Sequence, residues 1–321
     1  MRPLHRFVAV TGLVIASCEA PPPVATRPPS APSDFAADAQ SEWSEPVNLG
    51  AAINSPSADQ SPALSANGLT LYFASDRSGG VGGVDLWVAH RATPVSLWET
   101  PVNLGTSINT QDAETGPSLS LDGHLLFFAS SRQGGEGNFD IYVSFRGDVH
   151  DDLAWGEPVN VGSGVNSSTG EFGPWYSEEG ADGPVLYFAK GPNSNFTQLY
   201  SAPISRDGHS RGPAALITEL ASPNFSQGRP TLLVSGRQIV FFSARPGGLG
   251  GADLWAATRR SANDAWSDPV NLGTPLNSSA GDLLPALSRD GRTLLFTSTR
   301  AGGFGGMDLW MSTRTMSAEL Q

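Results

Sequence analysis

The stretch that decides the fold is residues 71–87. Residues 71–77 read Leu-Tyr-Phe-Ala-Ser-Asp-Arg, a glycine-rich segment follows, and residues 85–87 read Asp-Leu-Trp. Related stretches recur along the chain, although the third copy has diverged. The positions equivalent to Asp85 are spaced by 55, 58, 55 and 55 residues and are Asp140, Gln198, Asp253 and Asp308. A nearly fixed period of this kind indicates a repeat architecture in which each copy forms one structural unit.

Each repeat contains four short segments with strand character. In the first repeat these are residues 62–65, 71–75, 85–89 and 98–105. Asn67-Gly68 separates the first two segments, and both residues tolerate the positive φ of a tight hairpin turn. No helical spacing of apolar residues competes with this pattern. The sequence therefore predicts an all-β fold, a β-propeller built from four-stranded antiparallel blades.

The ends of the repeat region indicate how the ring closes. Residues 43–50 match the fourth segment of a repeat but precede the first full copy, and the last copy ends after its third segment, near Arg314. We predict that this N-terminal strand completes the blade formed by residues 281–314, which removes the open sheet edges. The propeller then spans residues 42–314 with five blades. Six blades are the alternative, but the sequence shows no further copy.

The repeats resemble a known family. Ser-Leu-Asp-Gly at residues 120–123, Leu-Phe-Phe-Ala-Ser at 126–130, the Gly-Gly-x-Gly-Gly turns and Asp-Leu-Trp are similar to the WD40-like repeats of TolB-type periplasmic propellers. The same repeats accompany peptidoglycan-binding OmpA-like domains. The resemblance covers residues 43–314 and implies a propeller of the bacterial envelope. Neither the α/β domain of TolB nor an OmpA-like domain is part of the match.

The N-terminus has the features of an export signal. Arg2 and Arg6 precede a mostly apolar stretch, residues 7–15, which is too short to span a bilayer as a stable helix. Residues 15–18 read Ile-Ala-Ser-Cys and resemble the bacterial lipobox, and Cys18 is the only cysteine in the chain. The resemblance implies removal of a signal peptide, residues 1–17, and lipidation of Cys18. An ordinary signal peptide with an incidental cysteine is the alternative.

The segments that flank the predicted propeller are expected to be a tether and a short tail. Residues 18–41 are rich in Pro, Ala and Ser without an apolar period, which is typical of a semi-extended linker. Residues 315–321 form the tail. Because Glu19 rather than Asp follows the cysteine, the lipobox resemblance implies the outer membrane, with the propeller facing the periplasm. Membrane contact is then expected through the lipid anchor only.

The composition excludes several classes of function. The chain has 19 Lys and Arg against 31 Asp and Glu, which argues against nucleic acid as a partner. A single cysteine leaves no intrachain disulfide and no cysteine zinc site. The five histidines have no metal-ligand spacing, and no nucleophile elbow, zinc-protease motif or phosphate loop is present. We therefore predict no cofactor, no catalytic residues and no enzyme activity.

Two charged residues flank the glycine-rich turn in four of the five repeats. The third repeat has Lys190 and Gln198 instead, and this joint loss fits a pair whose members need each other, since a half-buried charge without its partner is costly. We predict a structural clasp across each turn, with ligand binding as the alternative. The predicted pairs are Arg77 with Asp85, Arg132 with Asp140, Arg245 with Asp253, and Arg300 with Asp308.

A second polar set lies three residues before the proline of each first segment. Inner strands line the channel of a propeller, so we expect these side chains near one channel mouth. They are Asp59, Glu114, Glu171, Gln227 and Asp282. One interpretation is that they cap N–H groups of nearby turns. The other is an acidic mouth that binds a cation or a basic peptide segment.

The tryptophans separate into two groups. Seven of the eight stand at repeat positions, which indicates packing between blades, with aromatic platforms for sugars as the alternative. Trp175 breaks the pattern and is a candidate for a local function.

Two functions follow from these observations. The main hypothesis is an envelope lipoprotein whose propeller binds an envelope protein or peptide without catalysis. The alternative is a carbohydrate-binding or glycoside-hydrolysing propeller that uses the carboxylates at the channel mouth, because paired carboxylates perform glycoside hydrolysis.

Overall fold

The repeated segments form the strands of a five-bladed β-propeller. The structure, a computed structural model, describes residues 43–178, 180 and 182–315. Over this part of the chain twenty strands make five four-stranded antiparallel sheets, each of which is one blade. The all-β fold and the five blades are confirmed. The signal peptide, Cys18, the tether and the tail beyond residue 315 lie outside the described residues and stay predictions.

Four blades are continuous in sequence, and each runs from an inner strand at the axis to an outer strand. Blade 1 consists of β2 (Asp59–Leu64), β3 (Thr70–Ser75), β4 (Asp85–His90) and β5 (Val102–Asn103). Blade 2 consists of β6 (Glu114–Leu119), β7 (Leu125–Ser130), β8 (Asp140–Phe145) and β9 (Val159–Asn160). Blade 3 consists of β10 (Gly170–Ser177), β11 (Val185–Asn193), β12 (Phe196–Pro203) and β13 (Ala215–Leu216). Blade 4 consists of β14 (Gln227–Leu232), β15 (Gln238–Ser243), β16 (Asp253–Thr258) and β17 (Val270–Asn271).

Blade 5 joins the two ends of the repeat region. Its strands are β18 (Asp282–Leu287), β19 (Thr293–Ser298), β20 (Asp308–Thr313) and β1 (Val47–Asn48). The order β1-β20-β19-β18 places the N-terminal strand outermost, with Val47 opposite Met311. A further antiparallel bridge joins Trp43 to Arg314. The predicted closure of the ring by the N-terminal strand is confirmed.

The core lies between the blades. Strand β7 is buried at all six positions, because both faces of a middle strand pack against neighbouring blades. Buried side chains form five clusters, one at each blade interface. Tyr72 of blade 1 and Phe128 of blade 2 share one cluster, and Phe127 stacks on Tyr176 of blade 3 with ring centroids 5.3 Å apart. The repeat-positioned tryptophans belong to these interfaces or cover them.

The outer strands are shorter than the sequence predicts. In blade 1 the expected strand over residues 98–105 has only two residues in the sheet, Val102 and Asn103. Pro101 has no N–H for the ladder, and Trp98 instead packs under the Arg91 guanidinium, 4.4 Å from its ring centroid. Among the described residues no helix is long or apolar enough to cross a membrane.

We expect Trp43→Ala to weaken the ring closure. The Trp43 side chain is only 7% exposed, packs in the cluster between blades 4 and 5, and lies 4.5 Å from the Arg314 guanidinium. Removal of a buried tryptophan costs about 3–5 kcal/mol, measurable as a lower unfolding free energy in urea. Val47→Ala, on the same segment but 61% exposed, should change it by less than about 0.5 kcal/mol. Equal effects of the two substitutions would contradict the closure.

Candidate functional site

The predicted ring residues stand at the first position of the inner strand, or at the second in blade 3, and are fully buried. In blade 1, one oxygen of Asp59 accepts hydrogen bonds from the backbone N–H of Ser55 and from its hydroxyl, at 2.5 and 2.9 Å. The other oxygen accepts from the Ser75 hydroxyl at 2.6 Å and forms an ion pair with Arg77. The carboxylate therefore ties the loop before β2 to the end of β3.

The same arrangement recurs with small changes in other blades. Asp282 binds Arg300 at 2.6 Å, and Glu114 lies 3.4 Å from Arg132. In blade 3 Glu171 pairs with Lys190 at 3.2 Å. Burial raises the pKa of Glu171, against the lowering effects of hydrogen bonds from Ser167 and of the Lys190 charge. These carboxylates are engaged within their own blades.

In blade 4 an amide side chain, that of Gln227, takes the place of the ring carboxylate. The Gln227 side-chain oxygen accepts a hydrogen bond from Arg245 at 2.6 Å, and its amide nitrogen donates to Gln198 at 2.8 Å. Because no carboxylate replaces the lost solvent, burial lowers the pKa of Arg245. The four ring carboxylates thus accept hydrogen bonds from N–H groups of the preceding loop, as in the capping interpretation of the sequence, whereas Gln227 binds two side chains. None of the five lines the pocket at the channel axis.

The structure corrects the pairing predicted for the clasp. Arg77 pairs with Asp59 and not with Asp85, and the arginines at 132 and 300 likewise bind the ring carboxylate of their own blade. The Arg77 guanidinium lies between two rings, 4.9 Å from the centroid of Phe73 and 5.3 Å from that of Trp87. Sequence spacing placed the arginine beside the turn, but its side chain points back along the blade.

The predicted clasp aspartates hold the glycine-rich turns by themselves. Asp85 accepts hydrogen bonds from the N–H groups of Val81 and Gly82 and from the Asn103 side chain. A Cβ on Gly80 would stand 2.0 Å from a carboxylate oxygen of Asp85, so the turn needs glycine there. The equivalent aspartates of three other blades also bind turn N–H groups and are Asp140, Asp253 and Asp308.

An axial pocket of about 240 Å³ lies at the mouth where the inner strands begin. Its walls include Phe172 and Phe242, and Phe139 lies 5.1 Å from Phe172 between ring centroids. Polar groups of Gln60 and Thr115 also face it. The phenylalanines are half-buried. The pocket therefore combines aromatic surfaces with neutral polar side chains.

The other end of the channel is covered by a long side chain. Arg289, in the turn between β18 and β19, donates a hydrogen bond to the Leu119 carbonyl of blade 2 at 2.6 Å. Its guanidinium lies 5.1 Å from the ring centroid of Trp175. Trp175 itself is buried in the cluster between blades 3 and 4. Trp175, for which the sequence suggested a local function, therefore has a packing role at the end of the channel opposite the axial pocket.

A groove of about 440 Å³ lies between blades 2 and 3. His124 and His209 line it, and the His124 ring stacks on exposed Phe145 at 5.8 Å. Over residues 43–178, 180 and 182–315, no three His, Cys, Asp or Glu side chains are arranged to hold a metal ion. A cation at the channel mouth stays a prediction.

The comparisons with known proteins identify the fold. No family model and no curated protein matches the sequence. Among solved structures, a thermostable family-43 glycoside hydrolase has a TM-score of 0.58 at 12% identity, covering 83% of this chain and 93% of that chain. A Bacillus subtilis arabinanase has 0.56 at 14%, covering 83% and 96%. A putative TolB from Agrobacterium tumefaciens has 0.50 at 17%, covering 86% and 92%.

These comparisons correct one prediction and support part of another. The prediction that the chain is not an enzyme is contradicted, because the structures with the higher TM-scores are a glycoside hydrolase and an arabinanase. That prediction rested on missing sequence motifs, and motifs of local sequence do not detect side chains that a ring fold assembles from different blades. The likeness to a TolB structure supports the propeller part of the family resemblance. At these identities the likeness establishes the fold.

Sequence reasoning missed the groups that line the axial pocket. Phe172 follows Glu171 directly, and Arg229 stands two residues after Gln227. An alignment of the five first segments would have singled out Arg229, because the residue before the proline is small or aliphatic in the other four blades.

We expect Arg77→Met to destabilise the propeller. The substitution leaves Asp59 fully buried without its cation, and loss of one partner of a buried pair costs about 3–5 kcal/mol. The measurement is the unfolding free energy from urea titration. Arg77→Lys is the matched control, because it keeps the positive charge and a lysine, Lys190, already pairs with the ring carboxylate of blade 3, so it should lose much less. A Met variant as stable as the wild type would show that the pair is dispensable.

We expect Glu171→Gln to change how stability depends on pH. Because the folded state raises the pKa of Glu171 above its ordinary value of 4.5, it binds the proton more tightly than the unfolded chain does. The free energy of unfolding of the wild type should therefore fall, relative to the variant, as pH rises from 4.5 through the raised pKa. Chemical denaturation from pH 4 to pH 8 measures the difference between the two proteins. A difference that does not vary with pH would contradict this assignment.

Proposed function

We propose that the chain is a carbohydrate-active propeller that takes up a glycan at the axial pocket. The observation that carries the proposal is the pocket lining, which pairs half-buried phenylalanines with neutral polar groups and includes no carboxylate among the described residues. Ligand sites of this type are concave and largely apolar, with a few polar groups that fix orientation. A volume of about 240 Å³ suits one terminal sugar unit rather than a bulky ligand.

The chemistry of the lining fits a sugar ring. One face of a pyranose or furanose ring exposes C–H groups, which pack against aromatic surfaces such as Phe172 and Phe242. The ring hydroxyls need donors and acceptors at the edge, and Gln60, Ser61 and Thr115 provide them. The aromatic and polar groups come from blades 1, 2, 3 and 4, so the closed ring is needed to assemble the site.

The protein-binding hypothesis has less support from the geometry. It depended on an acidic mouth that attracts a basic peptide, but Asp59 and Asp282 are fully buried and bonded within their own blades. Those carboxylates do not face a ligand. The likeness to a glycoside hydrolase and an arabinanase adds to the carbohydrate proposal, since the same ring of blades accommodates glycans in proteins of those names.

Hydrolysis at this mouth needs two carboxylates that reach the glycosidic bond. Exposed acidic side chains on the same face are Asp76, which follows β3, and Asp112, which precedes β6. The Asp76 carboxylate accepts a hydrogen bond from the Ala58 N–H at 2.8 Å, next to the ring residue of blade 1. A glycan that extends outward from the pocket would pass these groups. Release of reducing ends, compared between the wild type, Asp76→Asn and Asp112→Asn, tests whether the bound glycan is cleaved.

We expect Phe172→Ala to weaken glycan binding about tenfold, because loss of one stacking surface removes about 1.4 kcal/mol. Isothermal titration with arabino-oligosaccharides, xylo-oligosaccharides and oligogalacturonates measures the affinities. Phe145→Ala is the matched control, since Phe145 is 60% exposed but lies outside the axial pocket. Its variant should bind like the wild type.

The proposal fails if the wild type binds none of these glycans, or if the two phenylalanine variants bind them equally. Circular dichroism melting of each variant shows that the fold is retained before affinities are compared.

A further inference from the structure

The inner strands share an unusual backbone conformation at the floor of the axial pocket. In every blade the residue just before the proline of the inner strand has a left-handed φ, between 49° and 66°. The five residues are Ser61, Gly116, Gly173, Arg229 and Leu284. Each lies in the irregular stretch where the inner strand shifts register against its neighbour. All five line the axial pocket, so they form a ring across the channel.

Arg229 occupies the centre of this ring. Its Nη2 atom donates hydrogen bonds to the carbonyls of Pro62 and Pro117, in blades 1 and 2, at 2.8 and 2.7 Å. Its Nη1 atom lies 3.2 Å from where a Cβ on Gly116 would stand, and its Cδ lies 3.0 Å from where a Cβ on Gly173 would stand. The two glycines therefore make room for the arginine of blade 4.

The charge of Arg229 has no counter-charge. No carboxylate among the described residues forms an ion pair with it, and its Nη1 atom is buried without a hydrogen-bond partner. Burial lowers its pKa to about 9, with no carboxylate nearby that raises it again. A buried cation in this state favours any anion that reaches it. The arginines that bind the ring residues each have a carboxylate or an amide oxygen as partner, and they are Arg77, Arg132, Arg245 and Arg300.

We propose that Arg229 makes the axial pocket selective for an acidic sugar, with the carboxylate of a uronate residue held toward the guanidinium. This inference rests on the proposed glycan function and specifies its substrate class. Arg229 is the only charged side chain among the described residues that line the pocket, so nothing there repels an anion. Attraction acts strongly at short range in a site that excludes much of the solvent. The aromatic walls then bind the sugar ring, and the guanidinium selects for its charge.

The experiment compares two trisaccharides by isothermal titration, trigalacturonate and the neutral arabinotriose. The wild type should bind trigalacturonate at least about tenfold more tightly, as expected for a charge-assisted contact. Arg229→Ser should remove this preference while keeping neutral binding. Serine is chosen because Ser61 occupies the same ring position in blade 1 with the same backbone conformation. Leu284→Ser, which changes the ring without changing its charge, is the control and should keep the preference.

Arg229→Lys retains the charge and should keep part of the preference, which separates charge from the shape of the side chain. Equal affinities of the wild type for the two trisaccharides would overturn the inference, and so would a preference that persists in Arg229→Ser. In that case Arg229 only fills the channel. If the neutral sugar binds and the uronate does not, this inference fails and the proposed function stands. If neither sugar binds, this inference fails, and the proposed function fails with it when xylo-oligosaccharides do not bind either.

Discussion

The fold depends on a buried polar junction at the start of each inner strand. In four blades a carboxylate accepts hydrogen bonds from the loop before its own strand and pairs with an arginine or lysine near the end of the second strand. In blade 4 Gln227 instead accepts a hydrogen bond from Arg245. This junction fixes the distance between the inner hairpin and the blade before it. A carboxylate removed from water is costly without such partners, so each one needs both its loop N–H group and its cation. Because the junction is repeated around the ring, the blades share one geometry and their faces pack with a common spacing.

Much of this architecture could be predicted from the sequence. Local signals were sufficient for the strands, since Asn67-Gly68 and the apolar run of β3 report on neighbouring residues only. The closure of the ring could be predicted because residues 43–50 match the fourth segment of a repeat but precede the first full copy. The partner of Arg77 was not predictable in the same way. Asp59 and Asp85 are both near it in sequence, and only the direction of its side chain between Phe73 and Trp87 decides between them.

The candidate site was harder to predict because it is made of exceptions to the repeat. Repeat positions are occupied by groups that every blade needs, and those groups satisfy one another inside the blades. The ring residues were recognised because they recur in every repeat. A group that recurs in every repeat serves the structure that all blades share. An arginine stands before the inner-strand proline in blade 4 alone, and this is also the blade in which Gln227 replaces the carboxylate. In a repeat protein of this kind, binding properties are better sought at positions where one copy differs from the other four.

The seam between β1 and β20 has a mechanical consequence. Tension applied to the chain ahead of Trp43 would act first on the outermost strand of blade 5, which pairs with β20 through Val47, Asn48 and the Trp43–Arg314 bridge, with further backbone hydrogen bonds at Ser44 and Leu49. The indole of Trp43 lies beside that bridge, between the point of pull and the rest of the ring. The load would be taken by this packed side chain before it reached any hairpin. The axial pocket lies on the inner strands, so the full width of blade 5 separates it from the seam.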